Sequence, residues 1–387
     1  MSCFSIIVTV KWGETMVYLD YAANTPVDEE VLKDFCEATM TYYANPNSFH
    51  EPGRIAAKAL SQSTNHIAEM LGVLPEEIIY TSGATEANNL AIKGILERYR
   101  NRGRHVIIGA FEHNSITSSI TAMTRQGFTV DLLSVDQDGL IDINQLKSLL
   151  REETILVSIC AVDSELGIRQ NIEAIGEILK DHRCFYHVDA SQAIGKTPID
   201  LTHIDLVTLT PHKFYGLNGT GALIKKKRVY LTPQIDGGRS TTIYRSGTPN
   251  TAAIMAFDSA LTKALKNMDA RYKYVSRFYD DLMDFFKNYD KVHINNTKYS
   301  LPYFINISLA SVKSQIFAQA LESHDIYIST KTSCCPENTP SKLVYALTHS
   351  KALASSSLRI SLSHLTTDED IIAFKQGFDA SYREVFE

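Results

Sequence analysis

The sequence predicts an α/β protein, with a mostly parallel sheet in a large domain and a smaller α+β domain beside it. Three observations carry this expectation. From about Ile78 to Leu223, short runs rich in β-branched residues alternate with longer segments of helical period, the pattern of strands joined by covering helices. The 387 residues exceed what one apolar core fills. After about Asn250 the alternation stops and elements of a different order follow.

Two helices, 29–42 and 55–71, precede the alternating block. Strands are expected at 78–81, 105–110, 129–135, 155–162, 185–190, 204–210 and 221–225. The clearest helices between them are 85–100, with Ile92, Ile95 and Leu96 on one face, and 172–180. A long helical stretch from about Thr251 to Lys287 joins the lobes. Strand 303–309, helix 315–323, strands 326–329 and 357–363, and a final helix from Asp368 complete the order. Residues 26–266 are assigned to the large domain, and 1–25 with 267–387 to the small one.

Composition excludes several classes. A formal charge of −6 gives no basic field for nucleic acid, and the short run Lys225 to Arg228 reads as a solvated strand end. The six cysteines, Cys3, Cys36, Cys160, Cys184, Cys334 and Cys335, lack both the C-x-x-C spacing of a zinc site and the density of a secreted scaffold. No metal and a reducing cytoplasm are expected. The apolar run from Phe4 lacks a basic flank and is too short to span a bilayer, so neither targeting nor membrane contact is expected. Met16 directly precedes the first well-patterned segment, which leaves residues 1–15 open as an extension or a mis-assigned start.

In an open α/β sheet, ligands sit beyond the carboxyl ends of the strands, where this chain repeatedly places its chemistry. Ser82-Gly83-Ala84-Thr85 opens a helix after a strand, where free N–H groups and the helix dipole suit a phosphate. Asp189 closes the apolar strand Tyr186-His187-Val188, and its carboxylate calls for a cationic partner such as a protonated pyridine nitrogen. Lys213, after Thr210-Pro211-His212, can form a Schiff base with a cofactor aldehyde, flanked by Thr210 and His212 as phosphate ligands. Each feature alone has an ordinary reading as a turn, a cap or a surface lysine; their order along the chain raises the functional one.

At six places the wording becomes specific: 18–26 (YLDYAANTP), 45–50 (NPNSFH), 81–89 (TSGATEANN), 187–192 (HVDASQ), 211–213 (PHK) and 245–248 (RSGT). Together they resemble the cysteine desulfurases, class V aminotransferases with the fold-type-I pyridoxal-phosphate architecture, from Val17 to the C-terminus. The resemblance implies pyridoxal 5'-phosphate as cofactor, with Lys213 carrying it, Asp189 pairing its ring nitrogen, Gln192 donating to the ring oxygen and His113 stacking on the ring. Ala84, Thr85, Thr210 and His212 would hold the phosphate, and Thr248 would arrive from the second subunit of a homodimer. Arg359 would grip the substrate carboxylate, with Asn45 also at the substrate. Cys334 takes the place of the family's nucleophile, in a loop that this family keeps mobile.

The chain departs from the family pattern in four ways. Ser164 stands where an asparagine usually meets the ring, Lys331-Thr332-Ser333 replaces the small-residue approach to the nucleophile, Cys335 follows Cys334, and the loop from Pro336 to Ser341 is shorter. The implied activity is conversion of L-cysteine to L-alanine, with sulfur held on Cys334 as a persulfide for an acceptor protein of iron–sulfur assembly or of tRNA or cofactor thiolation. Selenocysteine lyase, aminotransferase and a non-catalytic sulfur-transfer scaffold are the rival readings.

Overall fold

The computed structural model describes residues 16–238, 240–331 and 339–386. Its main sheet has seven strands in the order Ile78–Thr81, Gly221–Lys225, Leu206–Leu209, Phe185–Asp189, Thr154–Cys160, His105–Gly109 and Thr129–Leu133. Gly221–Lys225 runs antiparallel to both its neighbours, and the other pairings are parallel. The period of two along these strands feeds both faces. Val106 and Ile108 join one apolar cluster with Leu156, while Ile107 joins another with Val157 and Val188. Covered on both sides, these strands read as continuous apolar runs in the sequence.

A second sheet of three strands pairs Phe304–Leu309 with Val292–Ile294 and Ser357–Ser361, both antiparallel. Val17–Tyr18 pairs in parallel with Ile326–Tyr327. Ser361 N–H donates to Leu19 O at 2.7 Å and Ala22 N–H to Ser361 Oγ at 2.9 Å, so residues 19–22 are fastened beside the second sheet. Among the described residues no helix is long and apolar enough to cross a membrane.

Three differences from the expected elements have a clear physical reason. The long stretch after Asn250 is two helices, Thr251–Lys266 and Met268–Phe286, broken at Asn267. Its φ of −102° and ψ of 6° leave the helical region, and its N–H and side chain both bond Lys263 O. Helix Asn114–Thr124 forms from a run rich in Ser and Thr, whose weak propensity is outweighed by burial of Ile116, Ile120 and Met123. Strand 326–329 ends at Tyr327, with Ser329 making an isolated bridge to Arg359.

Candidate active site

A cavity of about 390 Å³ opens where the strands of the main sheet end. Ala84, Thr85, His113, Ser164, Asp189, Gln192, Thr210, His212, Lys213 and Arg359 all line it. Asn45 and Thr248 do not. Asn45 is exposed, its Oδ1 accepting the Asn47 N–H at 2.9 Å. Thr248 is exposed on a neighbouring cavity that shares Ser82 with this one. Cys334 lies outside the described residues, as do Cys335 and Pro336.

The turn into helix Ala84–Tyr99 is the candidate phosphate cradle. Gly83 has φ +152°, a conformation that side-chain-bearing residues rarely adopt, and a Cβ on Gly221 would stand 2.7 Å from Gly83 Cα. The first N–H groups of the helix have no intrahelical acceptor. Glu86, in that first turn, would repel an anion. Burial works against its charge, yet hydrogen bonds from Arg245, at 2.9 Å, and from Ser82 hold its carboxyl below the usual range. Arg245 thus neutralises the acid nearest the cradle. Thr210 donates its hydroxyl to Thr220 O at 2.9 Å and meets His212 Nδ1 at 3.0 Å, so it braces the turn that carries His212.

Asp189 is 6% exposed and, among the described residues, receives neutral donors, Asn88 Nδ2 at 2.8 Å and Ser191 N–H at 3.0 Å. Its charge is left for a cationic ring nitrogen, which is the fit a pyridoxal cofactor needs. Burial, with the charge of Asp189 added, pushes the carboxyl of neighbouring Glu112 well up, so the floor of the cavity does not hold two adjacent anions. Lys213, in the turn Pro211–Lys213, reaches back over the cavity and donates to Ala22 O at 2.8 Å and Ala23 O at 2.6 Å.

His113 caps helix Asn114–Thr124. Its Nδ1 accepts the Ser115 N–H at 3.1 Å, which places the neutral ring's proton on Nε2. Burial pushes its pKa down, with Lys213 adding to the effect and Asp189 opposing it. Asn88 links these groups, donating through Nδ2 to Asp189 Oδ2 and to Ser115 Oγ at 2.9 Å, and Ser115 Oγ lies 2.8 Å from His113 Nδ1. One hydrogen-bonded line therefore joins Asp189 to His113.

Arg359, on strand Ser357–Ser361, is 1% exposed. Its Nη2 donates to Asp20 Oδ1 at 2.6 Å and its Nη1 to Ser164 O at 2.8 Å, while its Nε has no partner among the described residues. Ser164 therefore contributes a carbonyl to the arginine. Ser329 and Arg359 exchange backbone hydrogen bonds of 3.1 and 2.7 Å, which roots the segment leading to Cys334 beside the arginine. Lys331 Nζ reaches Thr339 O at 2.8 Å, joining the described ends on either side of residues 332–338.

Asp20 and Asn88 fall within the motifs at 18–26 and 81–89 but were given no role of their own, and Ser115 was not singled out by the sequence. Asn88 carried the best signal, a polar residue in the apolar row Ala87, Leu90 and Ala91; the others depend on contacts remote in the chain or on the fold of a turn.

The aminotransferase class-V family matches residues 17–374. A relative named cysteine desulfurase IscS, from Neisseria gonorrhoeae, is 37% identical over 371 residues, covering 94% of this chain and 91% of its own. A NifS-like protein of known structure superposes with a TM-score of 0.89 at 30% identity, covering 95% of this chain and all of its own. A structure of SspA in complex with cysteine superposes with a TM-score of 0.79 at 31% identity, covering 89% of this chain and 98% of its own. A family match over nearly the whole chain, around a cavity with this donor set, means that the protein belongs to the class-V aminotransferases, among the cysteine desulfurases.

Proposed function

We propose that this protein is a pyridoxal-phosphate-dependent cysteine desulfurase that moves sulfur from L-cysteine to Cys334 and releases L-alanine. The observation that carries the reading is the convergence of Lys213, Asp189 and the N-terminal turn of helix Ala84–Tyr99 on one cavity that Arg359 also lines.

Bound pyridoxal phosphate supplies an electron sink conjugated with the substrate α-carbon. The chain's own groups divide the remaining work. The N–H groups after Gly83, with Thr85, Thr210 and His212, hold the phosphate, while Asp189 keeps the ring nitrogen protonated and Gln192 donates to the ring oxygen. His113 packs on the ring. Arg359 orients the substrate carboxylate through its planar fork. Lys213 Nζ takes the substrate's Cα proton, and His113 handles protons at the substrate thiol. The Cys334 thiolate attacks the substrate sulfur; the S–S bond forms as the Cβ–S bond breaks, and that bond's electron pair stays on carbon, which is protonated on the way to alanine.

The sulfur on Cys334 then passes to an acceptor protein of iron–sulfur assembly or of thiolation chemistry. The working unit is a cytoplasmic homodimer. Exposure of Thr248 next to the cradle residue Ser82, outside the cavity of its own chain, supports a role in the partner's phosphate site.

The test is incubation of the holo-protein with L-cysteine, a thiol reductant and no keto acid. Alanine and sulfide in equal amounts are expected. Alanine formed only when a keto acid is supplied means an aminotransferase, strong preference for selenocysteine means a lyase, and bound cofactor without turnover means a scaffold.

A further inference from the structure

Lys196 is a half-buried amine that the chemistry above leaves without a task. It follows Asp189 in the turn that carries Gln192, and its Nζ donates to Gln192 Oε1 at 3.2 Å and to the carbonyl of Lys213 at 3.2 Å. The other end of the Gln192 amide, Nε2, donates to Ala22 O at 2.8 Å, the carbonyl that also accepts Lys213 Nζ at 2.8 Å. The Phe304 ring centroid lies 5.9 Å from Lys196 Nζ. These contacts close a loop of hydrogen bonds around the base of Lys213.

We propose that Lys196 is a positioning residue that fixes the orientation of the Gln192 amide, and thereby the N–H offered to the cofactor's ring oxygen, while bracing the turn that carries Lys213. The inference rests on the reading of Gln192 as that donor. An amide has nearly the same shape after a flip and opposite chemistry. Flipped, Gln192 would set its oxygen against Ala22 O, two acceptors, and its NH₂ against a donating Lys196. Both ends therefore specify one orientation, which leaves the second N–H of Nε2 for the cavity. Burial, with the charge of Lys213 added, pushes the Lys196 pKa down to about 7. As ammonium or as amine, Nζ keeps at least two N–H groups for its two acceptors.

The test is a double-variant cycle on the holo-protein, read in the pH titration of the bound cofactor's absorption spectrum and in cysteine kinetics. Lys196→Met is expected to move the spectral midpoint by at least about half a pH unit. It should also lower kcat about tenfold with KM for cysteine within about twofold, since the carboxylate grip is elsewhere. Lys196→Arg, which keeps the donors, recovers most of both. In a Gln192→Ala background, Lys196→Met should have little further spectral effect. If Lys196→Met does not fold, Lys196→Gln takes its place in the cycle, with the same non-additivity expected. A wild-type midpoint in the Lys196 variant, or additive effects, overturns the proposal. Absence of alanine release from cysteine by wild-type protein sinks the desulfurase reading instead, and the spectral cycle still decides the role of Lys196.

Discussion

On the main-sheet side of the cavity, Asp189 ends a strand, His113 and Lys213 follow strand ends, and each is tied by its side chain to partners within the chain. On the other side, Arg359 is pinned by Asp20, but the segment leading to Cys334 leaves strand Ile326–Tyr327 and is held beside Arg359 by the two Ser329 backbone hydrogen bonds. The first side orients groups before a ligand arrives. The proposed nucleophile sits on a separate segment, whose described ends are joined by Lys331 and Thr339, apart from the strand ends that carry the cofactor groups. Cofactor chemistry and sulfur transfer should therefore be separable by mutation.

The largest effect is expected on the preorganised side. Lys213→Ala should lower alanine release by at least about 10³-fold, because in the proposed mechanism it removes the group that moves the Cα proton. Borohydride treatment of wild-type holo-protein should leave the cofactor's mass on the Lys213 peptide. A retained mass label on another peptide in the variant would break the assignment.

Cys334→Ser comes next. Turnover should fall by about 10²-fold or more, with the cofactor still bound and the Cα proton of cysteine still exchanging with deuterated solvent. Cys335→Ser should stay within about threefold of wild type, since the residue before Pro336 is biased toward extended backbone and has less freedom to swing. Persulfide mapping by mass spectrometry checks both. If Cys334→Ser also stops Cα exchange, the two sides are coupled and the comparison fails.

The same contrast explains what the sequence made legible. Strand ends could be read because β-branched runs stop abruptly at Thr81, Asp189 and Thr210, and the cavity lies where they stop. Helix Asn114–Thr124 was missed because its Ser and Thr residues hide an apolar face that only packing reveals. The antiparallel setting of Gly221–Lys225 was not legible either, since direction depends on the connection before it rather than on the strand's own residues. Asp20 meets Arg359 across 339 positions of sequence, a separation that no local pattern encodes.

A smaller effect is expected at the arginine. Arg359→Lys keeps the charge and loses the planar fork, leaving Asp20 or the Ser164 carbonyl short of a partner. Loss of one charge-assisted hydrogen bond to substrate is worth about 1.5–3 kcal/mol, or roughly 10- to 100-fold in KM. Steady-state kinetics with L-cysteine measure it. A fall in kcat at constant KM would mean that Arg359 acts in the chemical step rather than in holding the carboxylate.

The smallest effect concerns the stability cost of the preorganised side. His187, on the strand that ends in Asp189, is fully buried between Ser158 Oγ at 2.8 Å and Thr208 Oγ1 at 3.1 Å. Burial pushes its pKa down from 6.5 to about 4, against an opposing pull from Asp189. The folded chain thus holds this ring neutral where the unfolded chain would protonate it. With a folded pKa below the unfolded one, the unfolded state binds more protons between these values, so the stability tied to His187 falls as pH drops from about 6.5 toward 4. Relative to His187→Gln, wild-type protein should lose on the order of 1–2 kcal/mol between pH 7.5 and pH 5. The two should run in parallel above pH 7.5. Urea unfolding at both pH values and one fixed protein concentration isolates the term, because Asp163, whose buried carboxyl is raised to about 6 and pulls in the opposite direction, is common to both proteins. An unchanged difference between pH 7.5 and 5 would mean that the strand already tolerates a charged ring at His187, and hence that the wall around Asp189 is wetter and looser than its packing implies.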